Sequence, residues 1–173
     1  MADPIAQPRI NLAAARILLI DSSAQGRQLV AQMLYGMGAR EMTRAETLDA
    51  AWRAVRNSEF ELILCSSTLS DGDGYDFVRA LRTSDLEPNR FAPIVLLTGH
   101  TSISAMQRAR DCGANIVVAK PVSAASLLER IVWLGRDKRP FIEVDGVYAG
   151  PDRRFKQLGP PPGAPGRRRE DEG

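Results

Sequence analysis

The chain has 173 residues and a net charge of +2, with 44% apolar and 25% charged residues, the proportions of a single ordinary globular domain. No apolar run approaches the roughly 20 residues needed to span a bilayer. The start, Met1-Ala2-Asp3-Pro4, lacks the basic segment and apolar core of a secretory signal, so a cytoplasmic protein is expected.

Reading from the N-terminus, Ile17-Leu18-Leu19-Ile20 is a short continuous apolar run, as expected of a strand buried on both faces. Leu29, Val30, Met33, Leu34 and Met37 come next at helical spacing, ended by Gly36 and Gly38. A weaker strand near Glu41–Arg44 leads to Thr47, an N-cap for a helix with the apolar stripe Leu48, Ala51, Trp52 and Val55. Leu62-Ile63-Leu64 gives the third strand, and Phe77, Val78 and Leu81 mark a third helix capped by Asp73. After a polar loop at Thr83–Arg90 comes the fourth strand, Ile94-Val95-Leu96-Leu97. A helix from about Ser102 to Cys112 ends at Gly113. Ile116-Val117-Val118 is the fifth strand, closed by Lys120-Pro121, and a last helix from Ser123 carries Leu127, Leu128, Ile131 and Trp133 or Leu134.

Five strand–helix pairs predict an α/β fold with a doubly wound, five-stranded parallel sheet, because parallel neighbours require crossovers and these are right-handed. The order 2-1-3-4-5 is the usual solution at this size and puts a site at the carboxyl ends of strands one and three. The surplus charge lies in residues 151–173, where Arg153, Arg154, Lys156, Arg167, Arg168 and Arg169 meet Asp152, Glu170, Asp171 and Glu172. Six basic minus four acidic residues account for the whole +2, so the body is neutral, which argues against a broad nucleic-acid-binding face. Cys65 and Cys112 have neither metal-like nor disulfide-framework spacing and are read as reduced. His100, the only histidine, has no Cys or His partner at metal-ligand spacing and is read as exposed.

From about Arg16 to Lys138 a set of landmarks appears in order, each on the expected element: Ile20-Asp21, Arg27, Asp73-Gly74, Leu97-Thr98-Gly99, Gly113-Ala114 and Lys120-Pro121. On these residues the chain resembles the receiver domain of bacterial two-component response regulators. The resemblance implies a flavodoxin-like fold and a phosphorylation pocket formed by Asp21, Ser22, Ser66, Thr98 and Lys120. There is no GxGxxG, P-loop or GxSxG at a strand–helix turn to suggest another chemistry.

The departures from that family cluster in the pocket. Ser66 stands where the resemblance places the phosphoacceptor aspartate, and Asp21-Ser22 replaces a pair of acids. Leu69-Ser70 replaces Met-Pro, and Val117 occupies the switch position that is often aromatic. A serine hydroxyl ligates Mg²⁺ poorly and has a pKa too high to attack unaided. One carboxylate, Asp21, facing one ammonium, Lys120, leaves no surplus negative charge for a divalent cation, so no metal or other cofactor is expected. Retained Thr98 and Lys120 also have a structural reading: backbone bonding at a strand end for one, and charge balance beside a cis Lys-Pro bond for the other.

The expected organisation is an N-terminal extension at 1–15, a receiver-like domain at 16–138, a C-terminal extension at 139–158 and a disordered tail at 159–173. Phe141, Val144, Tyr148 and Phe155 are expected to lie against the domain like a strap. The stretch after the last helix is too short for a packed DNA-binding domain. The leading expectation is a non-enzymatic pseudo-receiver, a phosphorylation-independent protein-binding module in bacterial signal transduction. Its partner surface would be the helix-four, strand-five, helix-five face, with Arg108, Arg110, Glu129 and Arg130 as candidates and a homodimer as one arrangement. The alternatives are a phosphorelay response regulator with residual phosphotransfer activity, and a sensor that binds an anionic nucleotide through the tail arginines.

Overall fold

The computed structural model describes residues 11–154. Its elements in chain order are β1 (Arg16–Ile20), α1 (Ala24–Gly36), β2 (Glu41–Ala45), α2 (Leu48–Asn57), β3 (Leu62–Ser66), β4 (Thr68–Leu69), β5 (Gly72–Asp73) and α3 (Gly74–Arg82). They continue with a 3₁₀ turn (Asn89–Phe91), β6 (Ile94–Thr98), α4 (Ile103–Asp111), β7 (Ile116–Ala119), α5 (Ala124–Arg136), β8 (Phe141–Val144) and β9 (Tyr148–Pro151).

The main sheet is parallel, with the order β2-β1-β3-β6-β7. This is the 2-1-3-4-5 arrangement that the alternation of strands and helices predicts. The central strands β3 and β6 are buried along their whole length, whereas the edge strand β2 buries only Ala45. The two-residue side-chain period divides the core in two. Leu18, Ile20, Ile63, Cys65, Ile94 and Leu96 meet Val55 of α2, Val78 and Leu81 of α3, and Ala109 of α4. Ile17, Leu19, Leu62, Leu64, Val95 and Leu97 meet Val30 and Leu34 of α1 with Leu127 and Ile131 of α5. Leu12 joins this second cluster from within the segment read as an extension.

Each long helix starts at a side chain that accepts from a first-turn amide: Ser23, Thr47, Asp73, Ser102 and Ser123. Such caps satisfy donors that have no partner within the helix. The polar loop before β6 is more ordered than its composition suggests. Asn89 is buried there, donating to the carbonyls of Val55 and Ser58 and accepting from the Phe60 amide. The loop after β3 pairs with itself as β4–β5.

Residues 141–151 form an antiparallel hairpin, β8–β9, rather than a simple extended strap. Phe141 packs edge-on against Phe91, and the Tyr148 hydroxyl donates to the Pro151 carbonyl. Val144 is 48% exposed, because burial along β8 fades from the half-buried Phe141 and Ile142 to the exposed Glu143 and Val144 at its end. The buried residues of this segment are Ala149, Gly150 and Pro151. Phe155 and the tail at 159–173 lie outside the described residues.

Candidate functional site

The parallel register brings the carboxyl ends of β1, β3, β6 and β7 to one edge. Ile20 is level with Cys65, Ser66 with Leu97, and Thr98 with Ala119. Asp21, Ser66, Thr98 and Lys120 therefore converge where the strands end. Asp21 is 3% exposed and Ser66 2%.

Lys120 Nζ donates to Asp21 Oδ2 at 3.1 Å and to Ser66 Oγ at 2.8 Å. The other oxygen of Asp21, Oδ1, accepts from the Ser23 amide at 2.9 Å. Both carboxylate oxygens are thus engaged, one by a cation and one by backbone. The Ser66 hydroxyl accepts from an ammonium, which gives it no base to take its proton. Gly74, at the start of α3, passes so close to this corner that a side-chain carbon there would strike the Ser66 carbonyl oxygen. That close approach requires glycine.

Ser22 is adjacent in sequence but turns away from Lys120. Its hydroxyl donates to the Glu46 carbonyl at 2.8 Å and accepts from the Ser70 amide at 2.8 Å, tying three loops together. Arg27 reinforces the tie, donating to the Asp21 carbonyl and to Glu46 Oε1, each at 2.7 Å. Thr98 is buried and bonds locally, donating to the His100 carbonyl and accepting from the His100 amide and from Ser67 Oγ. The Tyr75 hydroxyl approaches Thr98 Oγ1 at 3.5 Å from α3. Val117 is half-buried and packs against the core that faces α2, α3 and α4.

Loop acids serve the backbone. Asp71 accepts from the Leu48 and Asp49 amides at the start of α2. Asp73 caps α3 and accepts from Arg108 at 2.8 Å. Among the described residues no group of three or more His, Cys, Asp or Glu side chains is placed to hold a metal ion. Cys65 and Cys112 are buried and free. Burial pushes both thiols up, Cys112 to about 11, and little thiolate is available at neutral pH.

On the α4–β7–α5 face, Arg108 is engaged with Asp73 and lies over the Tyr75 ring, while the Arg130 side chain is largely covered beside Glu129. Arg110 and Glu129 remain exposed. Of the tail arginines, Arg153 pairs with Asp111 and Arg154 with Asp152. Arg167, Arg168 and Arg169 lie outside the described residues. Sequence reasoning missed the bridging role of Arg27, the Ser22–Ser70 bond and the entry of Tyr75 beneath Thr98. Each depends on which loops meet in space, and only the charge of Arg27 left a trace in the pattern.

Residues 17–132 match the family model described as response regulator receiver domain. The chain is 30% identical over 130 residues to the sensor protein GacS of Pseudomonas syringae pv. syringae, covering 74% of this chain and 14% of that protein. It is 28% identical over 107 residues to the probable chemotaxis protein CheY of Rhizobium etli, covering 61% of this chain and 81% of that one. Among solved structures, chemotaxis protein CheY4 of Vibrio cholerae superposes with a TM-score of 0.62 at 28% identity, over 68% of this chain and 95% of that one. Among the described residues no helix is long and apolar enough to cross a membrane.

Proposed function

This chain belongs to the response regulator receiver family, and we propose that within it the protein works as a phosphorylation-independent, non-enzymatic binding module of two-component signalling. The observation that carries this reading is the Asp21–Lys120–Ser66 cluster. Where the family resemblance puts an acceptor carboxylate there is a hydroxyl, and the lysine that would meet a phosphoryl group is bonded to that hydroxyl and to Asp21. The residues do not fit Mg²⁺. The one carboxylate at the strand ends is held by an ammonium and an amide, whereas the ion prefers a near-octahedral oxygen set including at least one free carboxylate.

With no phosphoryl chemistry to drive it, such a module acts by presenting a surface to a protein in the cytoplasm. The α4–β7–α5 face is the best candidate. It displays Ile103, 81% exposed, and Leu128, 47% exposed, beside the basic Arg110 and the acidic Glu129. Exposed apolar side chains on the same helices as exposed charges suit a protein partner, including a second copy of this chain.

Incubation with acetyl phosphate and millimolar Mg²⁺ tests the reading. The expected result is no hydroxylamine-labile phosphoryl group, together with a melting temperature that Mg²⁺ leaves unchanged, since a ligand stabilises only as ln(1 + [L]/Kd). An acyl phosphate on Asp71 or Asp73, or a saturable rise in melting temperature with Mg²⁺, overturns it.

A further inference from the structure

We propose that the C-terminal hairpin β8–β9 is a clamp on α4, and that its attachment sets how firmly α4 is held against the sheet. The need for a clamp arises from how little α4 buries. Of its nine residues only Ala109 is buried, whereas α3, of equal length, buries six. Burial of an amphipathic face is the main source of helix stability in proteins, so α4 depends on contacts made by its last turn.

One contact comes from the α3 side. Arg108 lies over the Tyr75 ring at 4.4 Å and donates to Asp73 at 2.8 Å. The other comes from the hairpin. Asp111, the last residue of α4, sits at the negative end of the helix dipole, where a carboxylate is unfavourable. Arg153 offsets it with a 2.9 Å ion pair. The same guanidinium lies over the Tyr148 ring at 4.3 Å, and the Tyr148 hydroxyl holds the Pro151 carbonyl at 2.8 Å.

Below this pair the two backbones touch. A side-chain carbon on Gly150 would stand 2.8 Å from Gly113 Cα, and one on Gly113 would strike the Ala149 carbonyl oxygen. Gly113 is the turn at the end of α4, and its carbonyl accepts from the buried Arg82 at 2.9 Å. The run Tyr148-Ala149-Gly150-Pro151-Asp152-Arg153, which lies beyond the receiver-like segment, is the part that grips the carboxyl end of α4. A partner that draws Arg153 off Asp111 would loosen the helix and alter the face it shares with α5. That consequence rests on the protein-binding reading of the α4–β7–α5 face, but the clamp itself does not.

Amide hydrogen exchange of the full chain tests it without any partner. Gly150→Val, which cannot seat against Gly113, is expected to speed exchange of the α4 amides from Met106 to Gly113 about tenfold, leaving the α1 amides from Val30 to Leu34 unchanged. Arg153→Gln leaves the glycine contact intact while removing the ion pair with Asp111 and the charge over the Tyr148 ring, and it guards against failure of the first variant to fold. It is expected to speed α4 exchange about two- to fivefold, the range for one exposed ion pair. Unchanged α4 exchange in Arg153→Gln, or faster hairpin exchange in Gly150→Val without faster α4 exchange, overturns the clamp.

Discussion

The Ser70 amide donates to the Ser22 hydroxyl at 2.8 Å, and that hydroxyl in turn donates to the Glu46 carbonyl at the same distance. One serine thus joins the loops after β1, β2 and β3. Ser22→Ala is expected to cost about 1–2 kcal/mol, the net worth of two hydrogen bonds, read as a lower urea midpoint with unchanged slope. Ser22→Asp keeps the acceptor for Ser70 but sets a carboxylate against the Glu46 carbonyl. Combined with Ser66→Asp, which sets a second carboxylate beside Asp21 and Lys120, it leaves the strand ends with a surplus of negative charge, so the metal-free double variant is expected to melt below the parent and to regain stability with Mg²⁺. A double variant indifferent to Mg²⁺ would mean that the loops do not re-form an oxygen cage.

Acid should detach the β4–β5 turn from α2. The Leu48 amide, ahead of the Asp49 and Asp71 amides, holds the Asp71 carboxyl below its ordinary 3.8. A carboxyl depressed in the folded state stabilises fully above its unfolded pKa, and that contribution is lost as pH falls through the folded value. The loss therefore starts near pH 4 and is complete below the depressed value. Asp71→Asn is expected to flatten this part of the stability–pH curve, as followed by urea midpoints from pH 6 to pH 2.

Among the described residues no carboxylate pairs with the buried Arg82. It donates to the carbonyls of Gly113, Arg90 and Ala92 and to Asn115 Oδ1, and burial pushes its guanidinium down to about 10. Arg82→Met fills the space but leaves several acceptors without this donor, with an expected loss of about 3 kcal/mol or more. Arg82→Lys cannot span the same fork and is expected to lose about 2 kcal/mol. Equilibrium unfolding of both variants, monitored by tryptophan fluorescence, checks the order.

Phe141 packs edge-on against Phe91 at 4.8 Å between ring centroids, with the guanidinium of Arg82 at 5.7 Å and that of Arg90 at 5.6 Å from its own ring. Phe141→Ala is expected to cost about 2 kcal/mol and to open the Lys138–Arg139 bonds to trypsin. Val144→Ala, at an exposed position of the same strand, should change stability by less than about 0.5 kcal/mol. Equal effects of the two substitutions would show that the hairpin does not pack by one face.

The alternation of apolar runs and helical stripes was enough to define the doubly wound sheet. Strands buried on both faces, such as Leu62–Ser66 and Ile94–Thr98, must be continuous apolar runs, and the capping serines, threonine and aspartate mark where helices begin. The pocket residues Asp21, Ser22, Ser66, Thr98 and Lys120 were named by the resemblance to the receiver family; that Asp21, Ser66, Thr98 and Lys120 lie at one edge follows because each ends or follows a strand, and parallel strands end together. Their partners were not legible. That Ser22 faces Ser70 instead of Lys120, that Tyr75 enters beneath Thr98, and that Val144 faces outward while Gly150 lies on Gly113 are matters of how loops far apart in sequence meet. A two- or 3.6-residue period states which face of an element is buried. It carries no information about which of several polar side chains at the end of that element will find a partner across space, and here only tertiary packing decided that.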